Sequence, residues 1–166
     1  MFENTVTLPP ALRRKPQNTY QRNKIVPSGF AAGTYIRTIT GPRRIETLFA
    51  GDLLLDVDDQ IVEIRSIRKF TLHKDDVVKV EPSALGLGMP PDQLSHELIV
   101  ARGQKLAIQD WRSHVLFGKP VLSSADTLVD GVHIRKVAVS DMQLCAVCFD
   151  TPTVIQANGI HALASV

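Results

Sequence analysis

The sequence predicts an all-β protein, and three observations carry that expectation. No segment keeps apolar residues at a helical period of 3.6 over three turns. Short β-branched, alternating segments recur along the chain. Ten glycines and ten prolines punctuate them with turn chemistry. At 166 residues the chain suits one domain, large enough to bury a core without covalent staples.

Residues 1–28 hold Pro9, Pro10, Pro16 and Pro27 with few large apolar side chains, and are read as a tail or linker. The character changes at Gly29-Phe30, so the expected organisation is a flexible basic tail over 1–28 and a folded domain over 29–166. Thr34 to Ile39 alternates and is β-branched, with Thr40-Gly41-Pro42 as its stop. Ile45 to Leu48 follows as a further short β-like segment. Ala50-Gly51-Asp52 then turns the chain into a strand over Leu53 to Val57. Asp58-Asp59 is a hairpin turn into Gln60 to Ile67, where Val62 and Ile64 face one way and Glu63 and Arg65 the other. Val77 to Glu81 is another strand. Pro82 to Pro91 has too many breakers for either element.

Glu97 to Ala101, Arg102-Gly103 and Gln104 to Ile108 read as strand, tight turn, strand. His114 to Phe117 and Val132 to Val139 are further strands. Ser124 to Val129 suits one helical turn, with Ser124 as N-cap and Gly131 as the stop. Leu144 to Phe149 and Thr153 to Gln156 close the set.

Charge is uneven. Residues 1–28 carry Arg13, Arg14, Lys15, Arg22 and Lys24 against Glu3, so the tail holds a formal +4 of a whole-chain +2 and the remainder is −2. A basic arm is a candidate contact for an acidic partner, nucleic acid included; the plainer reading is a solvated arm. No apolar run approaches the length of a bilayer span. The N-terminal stretch has no apolar secretory core, and Cys145 and Cys148 are the only cysteines, so the expectation is a reducing, cytoplasmic location.

Isolated motifs argue for no cofactor and no metal. Cys145-x-x-Cys148 lies on a predicted strand, where an offset of three points the two thiols to opposite faces, so both are read as core residues. The five histidines show no ligand spacing. His96-Glu97 beside Asp92 is read as a polar loop, and Asp56, Asp58 and Asp59 as hairpin-turn residues. Gly86-x-Gly88 lacks the following helix that a phosphate cradle needs. Trp111 is expected to pack against the core.

Three stretches carry a family resemblance. Gly29-Phe30-Ala31-Ala32-Gly33-Thr34-Tyr35-Ile36, then Gly41-Pro42 and Ile45-Glu46-Thr47-Leu48-Phe49-Ala50-Gly51-Asp52, are similar to the opening of a Hedgehog/intein (Hint) domain, which begins at a cysteine. Ala84-Leu85-Gly86-x-Gly88-x-Pro90, Leu98 to Leu106, Trp111-Arg112, Leu116-Phe117-Gly118 and Leu128-Val129-Asp130-Gly131 resemble the middle of bacterial Hint-type proteins. Phe149-Asp150, Val154-Ile155 and Ala157-Asn158-Gly159-Ile160 resemble the closing strand pair. The match is collinear from Gly29 to about Ile160. It implies a horseshoe-like fold of short antiparallel strands with pseudo-two-fold symmetry.

The resemblance also implies a chemistry of self-processing. The first residue's thiol attacks the carbonyl just before it, a Thr-x-x-His motif helps the amide nitrogen leave, and water, a sterol hydroxyl or a downstream nucleophile resolves the thioester. In this chain the nucleophile position falls on Gly29, the motif threonine on Ala101 and the motif histidine on Gln104. Of the Asp-x-His found near the end of bacterial relatives, Asp150 remains and Pro152 replaces the histidine. The terminal His-Asn of inteins falls on Leu163 and Ala164, followed by Ser165. Glycine cannot attack, and a glutamine amide does not titrate.

The expectation is therefore a Hint-like domain that does not cleave itself and acts as a binding or structural module. A vestigial cleft at Gly29, Gln104 and His161 would suit a protein or peptide terminus. The alternative is an altered self-cleaving domain in which Ser28, one residue early, or an external nucleophile attacks.

Overall fold

The computed structural model describes residues 27–81, 96–108 and 121–164. Twelve strands run β1 (Phe30–Ala31), β2 (Tyr35–Thr38), β3 (Gly41–Arg44), β4 (Leu53–Leu55), β5 (Ile61–Glu63), β6 (Ser66–Val80), β7 (Leu98–Ala101), β8 (Lys105–Ile108), β9 (Val121–Ser124), β10 (Ile134–Cys148), β11 (Thr153–Ala157) and β12 (Ile160–Ala164). Two 3₁₀ turns, Ile45–Thr47 and Ala125–Leu128, are the helical elements among the described residues. All pairings are antiparallel. β1, β10, β6 and β7 close into a small barrel, and a curved sheet runs β5-β4-β2-β11-β12-β8-β9, with β3 added to β2.

The two 15-residue strands form one ribbon whose register pairs Ser66 with Cys148 and Val80 with Ile134. Each strand thus meets the other's opposite end, as a two-fold axis between equivalent halves requires. The turns obey the same symmetry. Thr34 N–H donates to the Ala31 carbonyl at 3.2 Å, and Gln104 N–H donates to the Ala101 carbonyl at 3.1 Å. Ile45 N–H donates to Thr34 O and Ala125 N–H to Gln104 O, each at 2.8 Å. Thr47 Oγ1 and Thr127 Oγ1 each bond the carbonyl three residues earlier at 2.7 Å, in the two 3₁₀ turns.

The core lies inside the barrel and under the curved sheet, with Phe30, Ile36, Leu54, Val78, Leu98, Leu106, Ile155 and Ile160 buried together. A smaller apolar cluster of Ala31, Leu72, Val77, Ala101 and Leu144 packs with the partly buried Phe70 beside the start of β1.

Four local expectations are corrected. The strand over Thr34 to Ile39 ends at Thr38, in line with the expected stop, but Gly41-Pro42 opens β3, which folds back on β2 with Pro42 opposite Arg37. Ile45 to Leu48 is a 3₁₀ turn, because Ile45 must drop into the core while Glu46 turns back to Gly33. The strands flanking Arg102-Gly103 do not form a hairpin. β7 pairs with β6 and β1, whereas β8 pairs with β12 and β9, so the turn carries the chain from one sheet to the other. Residues 68–76 and 140–143, assigned to no strand by the sequence pattern, are continuous β structure; this more polar middle of the ribbon needs no apolar alternation to remain β.

Other expectations match. Ser124 precedes the helical turn, though no side-chain cap bond forms. Asp59 takes a left-handed φ of 60° in the Asp58-Asp59 turn, and Asp56 Oδ1 accepts the N–H groups of Asp58 and Gln60. Cys145 is buried and Cys148 half-buried, and both are free; burial pushes the Cys145 thiol up. Residues 1–26, Gly86, Gly88, Asp92, Trp111, the strand expected at His114 to Phe117, and Ser165 lie outside the described residues.

Candidate functional site

The segment leading into β1 lies along the turn between β7 and β8. Gly103 N–H donates to the Pro27 carbonyl at 2.9 Å, and Ala101 N–H donates to the Gly29 carbonyl at 3.0 Å. β1 is therefore held on β7 by main-chain bonds that need no particular side chain. Phe30 anchors it, buried between Cys145 and Val100.

The space beside Gly29 is crowded. A Cβ added to Gly29 would lie 3.1 Å from the Cys145 carbonyl oxygen and 3.2 Å from two carbons of the Phe70 ring. Contacts that short require a neighbour to shift, and one of them is backbone. The φ of +155° is also one that side-chain-bearing residues rarely adopt. Phe70 is set from two sides: its residue pairs with Leu144 across the ribbon, and the Arg68 guanidinium lies 5.7 Å from its ring centroid.

Gln104 is buried, 2% exposed, and its amide is committed elsewhere. Nε2 donates to the Leu163 carbonyl at 2.7 Å and to the Lys105 carbonyl at 3.1 Å. Gln104 thus ties the β7–β8 turn to β12. Through these bonds Gly29, Ala101, Gln104 and Leu163 form one connected group, with Ala164 next in β12 and buried opposite Thr153. Ala101 is fully buried.

Asp150 and Pro152 lie in the turn before β11, both exposed. Asp150 Oδ1 is 3.5 Å from Arg65 Nε, and both side chains are more than 70% exposed. Hydrogen bonds do not join Asp150 to the Gly29–Gln104 group. His161 pairs with Gln156 in the closing hairpin. Burial holds its imidazole below the ordinary value, and Arg37 adds to the effect. Ser28 is half-buried beside the clamped Pro27 carbonyl. Among the described residues no group of three or more His, Cys, Asp or Glu side chains is placed to hold a metal. Among them too, no helix is long and apolar enough to cross a membrane.

Two features escaped the sequence reading. Phe70 belongs to neither of the motifs it touches, and its role rests on cross-strand register. Asn158, noticed within Ala157-Asn158-Gly159-Ile160, turns out to be a buried pin. It takes φ 47°, its Oδ1 accepts Tyr35 N–H at 2.8 Å, and its Nδ2 donates to the Glu97 carbonyl at 3.2 Å. The Asn-Gly pair signalled the turn, and the long-range bonds appear only in three dimensions.

The family model described as the Hint domain matches residues 28–163. No curated protein matches the chain. Among solved structures, a bacterial intein-like domain from Clostridium thermocellum is similar at 12% identity and a TM-score of 0.57, covering 82% of this chain and 97% of that one. A DnaB intein from Synechocystis is similar at 11% identity and a TM-score of 0.55, covering 84% and 100%. The MchDnaB-1 intein is similar at 14% identity and a TM-score of 0.54, covering 82% and 99%. At such identities the likeness is one of fold.

Proposed function

The chain belongs to the Hint domain family, and from that premise we propose that it is a member that does not process itself and acts as a binding or structural module. One observation carries this reading: residue 29 is a glycine at φ +155°, and the Phe70 ring and the Cys145 carbonyl crowd the place where a side chain would begin. An acyl shift starts from a nucleophile aimed at the preceding carbonyl. Here that role has no side chain, and one could be added only if its neighbours gave way by a few tenths of an ångström. The committed amide of Gln104 supports the same reading, because a glutamine bonded to Leu163 and Lys105 carbonyls supplies no proton to a leaving nitrogen. Gly29, Ala101, Gln104, Leu163 and Ala164 are then relics of a reactive centre, now part of the packing that joins the two halves.

A second reading has its own support. Gly103 N–H donates to the Pro27 carbonyl oxygen, where negative charge would develop if Ser28 Oγ attacked that carbon. In that reaction Oγ bonds to the Pro27 carbonyl carbon, the Ser28 nitrogen leaves with a proton, and an ester replaces the amide. No histidine occupies the motif position to supply that proton, so the first reading stands ahead.

Hydroxylamine separates the two, since it cleaves an ester, and the Asn158-Gly159 bond that it can also open gives a fragment of a different mass. The full chain incubated with it is expected to give no fragment ending at Pro27. A fragment ending at Pro27 as its hydroxamate, lost in Ser28→Ala, would establish the second reading and overturn the first.

A further inference from the structure

The two-fold relation places a second turn, Ala31 to Thr34, opposite the Ala101 to Gln104 turn, and a hollow of about 310 Å³ opens against it. The floor is the turn itself, closed by Thr34 N–H and Thr34 Oγ1, both donating to the Ala31 carbonyl. One wall is a stack: the Tyr35 ring has the His96 ring at 5.9 Å, inclined by 24°, and the Arg44 guanidinium carbon at 5.8 Å. Arg44 Nε donates to Tyr35 OH at 3.3 Å, a bond that uses neither Nη group. The buried Asn158 fixes the position of Tyr35 against Glu97 from below. The hollow is therefore built before anything enters it.

Its electrostatics point one way. The carboxylate of Glu97, on the rim, lies 3.5 Å from Arg135 and 4.0 Å from Lys79, so its charge is balanced outside the hollow. Arg44 makes no direct ion pair among the described residues, and the carboxylate that interacts with it through space is that of Glu46, the group an incoming carboxylate would displace. The turn also displays the ligand it favours. Gly33 N–H, at the mouth, donates to Glu46 Oε2 at 2.7 Å, and nothing stands within 4 Å of the place a Gly33 Cβ would take. Its counterpart, Gly103 N–H, holds the Pro27 carbonyl at 2.9 Å. Both turns aim an N–H outward at an oxygen, and in the first half that oxygen belongs to a carboxylate.

We propose that this hollow is a carboxylate-binding site that takes the free α-carboxylate of a peptide C-terminus or an amino acid. The Arg44 Nη groups pair with the carboxylate, Gly33 N–H donates to it in place of Glu46, and the displaced Glu46 stays beside Lys69, whose Nζ bonds the Glu46 carbonyl at 3.3 Å. A volume of this size holds one or two residues. The inference is independent of whether the chain cleaves itself, because none of the Gly29–Gln104 group lines this hollow.

The test is a titration of the ¹⁵N-labelled full chain with N-acetyl-Ala-Ala, the same dipeptide as its C-terminal amide, and free alanine. The free acid is expected to give saturating shifts at the amides of Gly33, Tyr35 and Asn158, and the amide to bind at least about tenfold more weakly. Arg44→Gln is expected to weaken the acid about tenfold, Arg44→Lys to fall between, and Glu46→Gln to bind it at least as tightly as the parent. Alanine matching the dipeptide assigns a free amino acid; dipeptide binding alone assigns a peptide end; either upholds the site. Equal binding of acid and amide, shifts that never saturate, or an unchanged affinity in both Arg44 variants would overturn it.

Discussion

At the residue scale the decisive pair is Gly29 and Phe70, because a ring edge and a missing side chain share one volume. Gly29→Cys forces the ring or the Cys145 carbonyl to move, and overpacking of this kind costs about 1–3 kcal/mol. Thermal melting is expected to fall accordingly, and Phe70→Ala combined with Gly29→Cys is expected to lose less than the two single changes together. An additive result would mean that the two residues do not share that space. Two histidines are expected to titrate on opposite sides of their ordinary value. The hydrogen bond to Glu81 raises His133, so its stabilising contribution is present below about pH 6.5 and lost as pH rises through its folded value. Burial lowers His161, so stability linked to it is present above about pH 6.5 and lost as pH falls through its folded value. Imidazole ¹H shifts recorded against pH measure both directions, and His161→Gln is expected to flatten the acid-side loss.

At the scale of elements, Gln104 ties the β7–β8 turn to β12. Gln104→Ala removes two donors and leaves the Leu163 and Lys105 carbonyls without that partner, at a cost of about 1–3 kcal/mol in denaturant unfolding. An unchanged midpoint would mean that the tie adds nothing. The β6–β10 ribbon is expected to protect its amides unevenly. Exchange should be slowest at Val78, Val80 and Val147, which face the core, and fast near the exposed Lys74 and Asp141. That unevenness also explains which strands the sequence revealed. The apolar ends, Val77 to Val80 and Leu144 to Cys148, read as strands because both faces are buried, Val78, Val80, Cys145 and Val147 in the main core and Val77 and Leu144 in the smaller cluster. The stretches between them carry Arg68, Lys69, His73, Lys74, Ser140 and Asp141, and a ribbon wetted along its length shows little pattern. The Arg102-Gly103 turn looked like a hairpin for a related reason. Its chemistry specifies a reversal, whereas the sheets that receive β7 and β8 are chosen by distant partners, β6 and β12.

At the scale of the whole molecule, the all-β class was legible from turns and alternation, and the horseshoe arrangement from collinear motifs. The two-fold relation, also implied by those motifs, is carried by the register of the long strands and the matched turns. The candidate site divides in the same manner. That Gly29, Ala101 and Gln104 carry no thiol, hydroxyl or imidazole follows from their identities. What packs against Gly29 does not, since Phe70 reaches Gly29 through its pairing with β10. The central claim is that the Phe70 ring packs against Gly29 and crowds any side chain there, and proton cross-relaxation in the folded, labelled chain tests it most directly. The account predicts strong cross-peaks between the Phe70 ring protons and Gly29 Hα. A ring whose contacts lie elsewhere, with Gly29 Hα exposed to solvent, would contradict it.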